Sequence, residues 1–269
     1  MKAGYIHITS WQLLLAGSLL LVNIVLSGLL RLGLTQKILW AAIRMITQLL
    51  LIGWVLNWIF SLSHPVPVLG IGVLMATIAA RVASRQSRRQ YIMMFWNCLL
   101  AILCSSFLVT CLAMIGILRV DPWFSPQYFI PLLGMVLGNA LNGVSLGVER
   151  LLEGIVLRRH MVEGLLALGA TRWEATSAEL RSAFRAAMLP VLNSMMIIGL
   201  VSFPGMMTGQ ILAGAAPLDA VRYQIVVMCL IASGTALGTI TILLLTCNAL
   251  FDDRERLRLE RLHDTQAQD

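Results

Sequence analysis

The sequence predicts an all-α, polytopic membrane protein with about seven transmembrane helices. Of its 269 residues, 58% are hydrophobic and only 12% are charged, whereas a soluble domain carries roughly 25% charged residues. Apolar runs of about twenty residues, the length that crosses a bilayer, recur along the chain. Lys and Arg are concentrated in alternate connections between these runs, as the orientation rule for membrane proteins requires.

Each long apolar run defines one predicted span. The seven spans cover residues 11–30, 38–60, 66–83, 93–118, 128–148, 188–213 and 223–250. The segment 149–187 is too charged to cross the bilayer, and the tail 252–269 is polar. We therefore predict a single transmembrane domain over 1–269, with one large cytoplasmic segment and a cytoplasmic tail.

The distribution of positive charge predicts the orientation. Three basic residues, Lys2, Arg119 and Arg222, fall on one side of the predicted membrane. Sixteen fall on the other side: Arg31, Lys37, Arg81, Arg85, Arg88, Arg89, Arg150, Arg158, Arg159, Arg172, Arg181, Arg185, Arg254, Arg256, Arg258 and Arg261. This predicts an inner (plasma) membrane protein with its N-terminus outside and its C-terminus in the cytoplasm. Because short loops account for the net charge of +7, we expect contact with lipid and not with nucleic acid.

The cytoplasmic segment 149–187 has the pattern of an ordered element. Two helices, 150–168 and 172–187, are predicted on either side of a tight corner. Gly169 suits the left-handed end of the first helix, and Thr171 with Glu174 three residues later forms a capping box at the start of the second. A solvated loop is the alternative. The apolar content and the caps favour a docking element for a protein partner.

The sequence lacks the residues that would power transport. It contains no G-x-x-x-x-G-K-[ST] phosphate loop, and its only lysines are Lys2 and Lys37. No acidic residue falls inside a predicted span, although proton- and cation-driven transporters usually need one. No catalytic residues or bound cofactor are expected. Energy, if the protein uses it, must come from another chain.

A few polar residues lie inside the predicted spans. Arg44 and Gln48 are one helical turn apart in the second span, where Arg44 either faces a partner or cavity or extends towards the headgroups. Asn139 and Asn142 lie in the fifth span and either bond to neighbouring helices or line a substrate path. That span also carries glycines spaced for close helix packing: Gly134, Gly138, Gly143 and Gly147.

The sixth predicted span contains two prolines with different expected effects. Pro190 suits a helix start, whereas Pro204 followed by Gly205 breaks or kinks the helix. Broken spans are tolerated where they line a cavity or are buried in protein. Met206 and Met207 follow the break, and their thioethers are either soft metal ligands or ordinary core filler.

Several of these stretches together resemble the FetB-type family of ABC-transporter permeases. The similar blocks are ILWAAIRMITQLLLIGWVL, IPLLGMVLGNAL, GLVSFPGMMTGQILAG and VRYQIVVM. Bacterial members of that family are described as iron exporters, and plant relatives are linked to aluminium tolerance. The resemblance implies a permease that pairs with a second copy of itself and with two copies of a separate cytoplasmic ATPase, which would hold the ATP.

The resemblance also implies where the ATPase would dock. The segment EGLLALG, residues 163–169, is similar to the front half of the E-A-A-x-x-x-G coupling sequence of bacterial ABC importers. It departs from that sequence because Gly164 and Leu165 replace the two alanines, and Leu189-Pro190 follows too late. The coupling residues implied are Glu163, Gly169, Ala170, Thr171 and Glu174.

Three functions are compatible with these patterns. The first is the membrane subunit of an ATP-driven exporter of iron or a related metal ion. The second keeps the ATPase but changes the cargo to a lipid, a peptide or a nucleotide sugar. The third is a receptor or assembly factor that transports nothing. For the first function, the expected substrate path includes Arg44, Gln48, Asn139, Asn142, Pro204 and Gly205, with Met206 and Met207 as candidate metal ligands.

Overall fold

The computed structural model describes residues 9–30, 33–60, 64–252 and 254–264, and it is helical almost throughout. The α-helices are α1 (Ser10–Leu29), α2 (Thr35–Phe60), α3 (Pro65–Gln86), α4 (Met94–Leu112), α5 (Pro126–Leu157), α6 (Arg159–Ala167), α7 (Arg172–Ala175), α8 (Ser177–Ile197), α9 (Gly205–Leu212) and α10 (Pro217–Leu250). A π-helical turn, Ala113–Ile117, extends α4. The predicted all-α class is confirmed.

The C-terminal segment contains the small amount of other regular structure. A 3₁₀ turn spans Leu259–Arg261. Two short strands, β1 (Arg89–Gln90) and β2 (His263–Asp264), pair antiparallel. Because this pairing joins the tail to the loop between α3 and α4, both segments lie at the same end of the helices that they connect.

The chain divides into two compact units. The first contains α1 and α2 together with Gly209–Ala215. Within it, the two helices pack against each other, and the Ser27 hydroxyl accepts a hydrogen bond from the backbone N–H of Leu34 at 3.1 Å. The second unit contains α3 to α8, the start of α9, α10 and the C-terminal segment. The prediction of a single domain over 1–269 stays a prediction.

Helices α5 and α10 form the centre of the second unit, and α3, α4 and α8 pack around them. Small residues allow the two central helices to approach closely. A Cβ atom on Gly143 would lie 2.5 Å from Cγ2 of Thr235, and one on Gly147 would lie 3.1 Å from Cγ2 of Thr239. The expected close packing is therefore confirmed at these two positions. It is wrong for Gly138, which would meet nothing within 4 Å.

Six helices among the described residues are long and apolar enough to cross a membrane: α1, α2, α3, α4 with its π-helical turn, α5 and α10. These correspond to six of the seven predicted spans. The remaining prediction, a span over 188–213, is wrong as a single helix. The chain there consists of the end of α8, a non-helical segment and the short α9.

The helices predicted for the segment 149–187 also begin and end at other residues than predicted. The predicted helix 150–168 consists of the last turns of α5 and the separate α6, with a break at Arg158. The predicted helix 172–187 consists of α7 and the first half of α8. Pro190 lies inside α8 and does not start a helix. Apolar content predicts which part of a helix lies in lipid. Backbone hydrogen bonds continue the helix past that part, so the helix ends lie elsewhere.

Candidate functional site

The corner between α6 and α7 is built as the sequence predicts. Gly169 has a φ of +91°, the left-handed conformation that glycine adopts without strain. The Thr171 hydroxyl accepts from the backbone N–H of Glu174, and the Glu174 carboxylate accepts from the backbone N–H of Thr171 at 2.8 Å. The capping box is confirmed, and the corner is an ordered turn with Leu168 86% exposed at its tip.

The tail holds this corner from the other side. The backbone N–H and the Nε atom of Arg172 donate to the Glu255 carboxylate at 2.7 and 2.9 Å. Its Nη1 and Nη2 atoms donate to the side chain of Asn248 and to the backbone carbonyl of Asp252, both at 3.3 Å. The guanidinium therefore joins the first residue of α7 to the last turn of α10 and to the tail.

The carboxylates around the corner are stabilised in their charged form. The backbone N–H and the hydroxyl of Thr171 lower the pKa of the Glu174 carboxyl. Hydrogen bonds from the Arg172 side chain lower the pKa of the Glu255 carboxyl. The backbone N–H of Arg256 does the same for the pKa of Asp252. Each hydrogen bond favours the ionised carboxylate, so the network is complete at neutral pH.

Helix α8 begins beside this corner and packs against α5 and α10. Only Thr176 separates α7 from α8, and its buried hydroxyl donates to the Arg172 carbonyl at 2.7 Å. The buried Glu179 on the first turn of α8 packs against Gly154 of α5, where a Cβ atom would lie 3.3 Å from its Cγ. The corner is therefore continuous with α8, which packs against α5.

At its other end, α8 stops at a non-helical segment, residues 198–204, which we call the break. Ile198 is extended, and Gly199 has a φ of +81°. A tight turn follows, in which the Gly199 N–H donates to the Ser202 carbonyl at 2.9 Å. The helix resumes at Gly205. Sequence analysis placed the disruption at Pro204 and Gly205, and the structure extends it upstream to Ile198.

Two cavities lie beside the break. One, of about 390 Å³, is lined by α8, α9 and α10 and includes Met207. The other, of about 300 Å³, is also lined by α5, and it includes Asn139 and Met206. Ile198, Gln224 and Met228 line both cavities, so the two are adjacent. We call them together the break cavities.

Gln224 is the site residue that sequence analysis missed. It lies on α10 and is only 8% exposed. Its Oε1 atom is buried and has no hydrogen-bond partner among the described residues. A glutamine within the motif VRYQIVVM was visible in the sequence, but the sequence does not tell which face of α10 it occupies.

The break cavities bring together only part of the predicted substrate path. Asn139, Pro204, Gly205 and Met206 line the same cavity, and the Asn139 amide donates to the Met135 carbonyl at 2.9 Å. Asn142 is exposed and lines neither cavity.

Arg44 and Gln48 belong to the first unit. Both lie on α2, one helical turn apart, and their side chains are exposed. Their proposed place on a substrate path stays a prediction, as does the coupling role of Glu163 and Ala170, which lie on and just after α6. Glu163 pairs with Arg159 at 2.7 Å.

The donor set of the site is neutral and rich in sulfur. Within the described part of the chain, no group of three or more His, Cys, Asp or Glu side chains could hold a metal ion. The break cavities instead present thioethers, side-chain amides, the hydroxyls of Ser194 and Ser202, and the thiol of Cys229. A metal-ligand role for Met206 and Met207 stays a prediction.

Comparison with known proteins places this chain in a family. The sequence profile described as "Uncharacterised protein family (UPF0014)" matches residues 10–251. A UPF0014 membrane protein of Synechocystis is 40% identical over 84% of this chain and 87% of its own length. The Escherichia coli "Probable iron export permease protein FetB" is 35% identical over 95% of this chain and 97% of its own.

A plant protein and the solved structures complete the comparison. "Protein ALUMINUM SENSITIVE 3" of Arabidopsis thaliana is 32% identical over 82% of this chain and 80% of its own length. No solved structure matches. With a profile that covers nearly the whole chain and several relatives above 30% identity, this chain belongs to the UPF0014 family of membrane proteins.

Proposed function

We propose that this protein is the non-catalytic membrane subunit of an ATP-binding cassette exporter, which moves iron or a related metal ion out of the cytoplasm. One observation carries the proposal: the capped corner leads through the short α7 into one end of α8, and the break lies at the other end of α8. An ATPase that pushes on the corner would move the segment beside the break cavities. The relative in Escherichia coli, whose printed name is a probable iron export permease, supports the cargo.

The ATPase would dock on the segment 149–187. Leu157, Met161 and Leu168 are all exposed on and beside α6, and the salt bridge between Arg150 and Glu153 lies nearby. An exposed apolar centre with charged neighbours is the composition of a protein–protein contact. ATP would be bound and hydrolysed on that partner.

The orientation follows from segments that share one end of the second unit. The loop after α3, the corner and the tail are linked to one another by the β1–β2 pairing and by the Arg172 network. Together with the end of α3 and the rest of the segment 149–187, they carry 14 of the 20 Lys and Arg residues. We therefore propose that this end is cytoplasmic, that the N-terminus is outside, and that the protein lies in the inner membrane.

A second copy of the chain would complete the path. Ile198 lies about 20 Å beyond Arg185 along α8, at roughly 1.5 Å per residue, within a hydrocarbon core about 30 Å thick. Leu200 and Val201 of the break are strongly exposed. Non-helical backbone at this depth is stable against protein or water but not against lipid. We propose a homodimer in which the break faces the second copy and the path between them.

Transport of iron by the complex tests the proposal. The permease and a candidate ABC ATPase from the same genome would be co-expressed, reconstituted in inside-out vesicles, and assayed for ATP-dependent iron uptake. Iron uptake that requires both chains is expected. Failure of the two chains to co-purify would overturn the ABC assignment. ATP-dependent uptake of an organic molecule, with no movement of metal, would favour the lipid, peptide or nucleotide-sugar alternative, which the apolar cavity walls also accommodate.

A charge placed on the corner tests the docking site. Leu168→Asp would put a carboxylate at the tip of the corner, and Ile92→Asp would put one at a comparably exposed apolar residue outside the segment 149–187. We expect Leu168→Asp to abolish ATPase binding while Ile92→Asp retains it. Equal binding by both variants would show that the corner is not the docking site. A complex that forms normally but moves no cargo would favour the receptor or assembly-factor alternative.

A further inference from the structure

Methionine sulfur is concentrated around the break cavities. Five of the chain's 14 methionines line them: Met135, Met195, Met206, Met207 and Met228. They come from four different helices, α5, α8, α9 and α10, and so they converge by tertiary folding and not by a local repeat. Methionine is ordinary core filler when it is buried in a close-packed interior. Here these side chains border empty space instead.

The unpartnered Gln224 is a second and independent sign of a ligand. Its Oε1 atom is buried, and it accepts no hydrogen bond from any described residue. A buried amide oxygen without a donor is unfavourable, because it has lost its bonds to water. A bound cation would provide the missing positive partner. Since Gln224 lines both cavities, its oxygen is available where the thioethers gather.

The charge of the site restricts the kind of cation. No Asp, Glu, His, Lys or Arg is among the residues that line either cavity. A bare divalent or trivalent ion in such an uncharged, apolar space would be stripped of water without a compensating negative charge. Thioether ligands select soft ions such as Cu(I), whereas hard ions prefer carboxylate, carbonyl and water. Both considerations point to a soft ion of low charge.

We propose that the break cavities bind a soft monovalent cation of the Cu(I) class, with thioethers as the main ligands and the Gln224 carbonyl oxygen as an additional donor. Among the metal ions covered by the proposed function, this proposal favours Cu(I) over iron. It rests on that proposed function only in treating the site as part of the transport path. Binding itself needs neither the ATPase nor transport. Iron would then bind to this site more weakly than Cu(I).

Competition for Cu(I) tests the site in the purified full-length permease. Cysteine thiolates would mask thioether binding, so the three cysteines that are not buried, Cys104, Cys111 and Cys229, are replaced by alanine in the background protein; Cys229 itself lines the 390 Å³ cavity, and its removal leaves the thioethers as the sulfur donors there. Cu(I) is then titrated against bathocuproine disulfonate without oxygen. One Cu(I) per protomer is expected, and tenfold excesses of Fe(II) or Mg(II) should not displace it. Displacement by equimolar Fe(II) would overturn the proposal.

Variants identify the ligands. Met206→Leu combined with Met207→Leu keeps the volume of both side chains and is expected to weaken Cu(I) binding about 10- to 100-fold, the usual range for impaired metal sites. Gln224→Leu is expected to weaken it less. Met114→Leu is the matched control, because Met114 is fully buried but lines neither cavity. Equal affinity in the control and the cavity variants would overturn the proposal.

X-ray absorption of copper bound to the background protein provides a readout that needs no cavity variant. Sulfur scatterers are expected to dominate the first shell. A shell of oxygen and nitrogen alone would contradict the thioether site even if Cu(I) binds.

The transport proposal and the Cu(I) proposal can fail independently of each other. Cu(I) binding without any ATP-dependent transport leaves the site standing and removes the exporter. Iron transport by a complex that does not bind Cu(I) does the reverse.

Discussion

The α5–α10 pair and the α8–α9 segment differ in how an apolar stretch of chain is stabilised. Both are apolar and both contain glycine. In α5 and α10 every turn is helical, and Gly143 and Gly234 bring the two backbones together. Between α8 and α9, seven residues are not helical, and their side chains are largely exposed. The first region can hold its geometry without a partner, whereas the second is stable at membrane depth only beside protein or water.

This contrast suggests a division of roles. The central pair is a scaffold whose packing tolerates little change, because a Cβ atom on Gly143, Gly147 or Gly234 would meet a side chain from the other helix. The break borders the break cavities, and α8 leads directly into it. The following tests would weaken or sharpen the distinction, and they run from the largest expected effect to the smallest.

Glycine-to-alanine substitutions within α5 test the scaffold. In Gly143→Ala, the new Cβ would lie 2.5 Å from Cγ2 of Thr235, and overpacking of this kind costs roughly 1–3 kcal/mol. Gly138→Ala is the matched control on the same helix, since nothing lies within 4 Å there. We expect a clear fall in the thermal unfolding temperature in detergent for Gly143→Ala and no fall for Gly138→Ala. Equal unfolding temperatures would show that the close contact is not stabilising.

A backbone substitution tests the break. Gly199 has a φ of +81°, and an alanine in a left-handed conformation costs roughly 1–2 kcal/mol. Gly199→Ala should therefore distort the turn and reduce transport while α5 and α10 remain intact. Gly209→Ala is the control, because Gly209 lies on α9 with open space around it and lines neither cavity. Transport by reconstituted protein is the measurement, and unaffected transport in Gly199→Ala would argue against a functional turn.

Removal of one arginine tests the contact between the corner and the tail. Arg172→Ala would delete the side-chain hydrogen bonds to Glu255, Asn248 and Asp252 and leave the backbone N–H bond to Glu255. We expect faster hydrogen exchange and more rapid proteolysis in residues 254–264, with little change in the spans. Arg254→Ala is the control, since the Arg254 side chain is exposed at the same tail. If the two variants behave alike, the network does not hold the tail.

The same contact should depend on pH in one direction only. The folded pKa values of Glu255, Asp252 and Glu174 are all lowered. A lowered folded pKa means that the stabilisation is complete above the ordinary carboxyl pKa, about 4, and is lost as the pH falls through the lower value. Protection of the tail from hydrogen exchange, corrected for the intrinsic rate, should be constant from neutral pH to about pH 5 and decline below about pH 4. A loss between pH 7 and pH 5 would contradict these directions.

The sequence predicted local features more accurately than long-range ones. The capping box of Thr171 and Glu174 and the left-handed Gly169 were correct, because each depends on residues within a few positions. The break was predicted from Pro204, since proline acts on its own turn. Helix ends were less accurate. Pro190 was assigned to a helix start, yet it lies inside α8, because the residues before it are already helical.

Composition and charge pattern alone determined that this is an all-α membrane protein and where its apolar segments lie, because lipid requires apolar side chains and satisfied backbone groups over a fixed length. They also predicted a cytoplasmic corner. Only the tertiary structure decided that the tail supports this corner, that Gln224 lies beside the break, and that methionines from four helices line two adjacent cavities. These contacts join residues far apart in the chain, and the direction in which each side chain points is fixed by the packing of helices and not by sequence spacing.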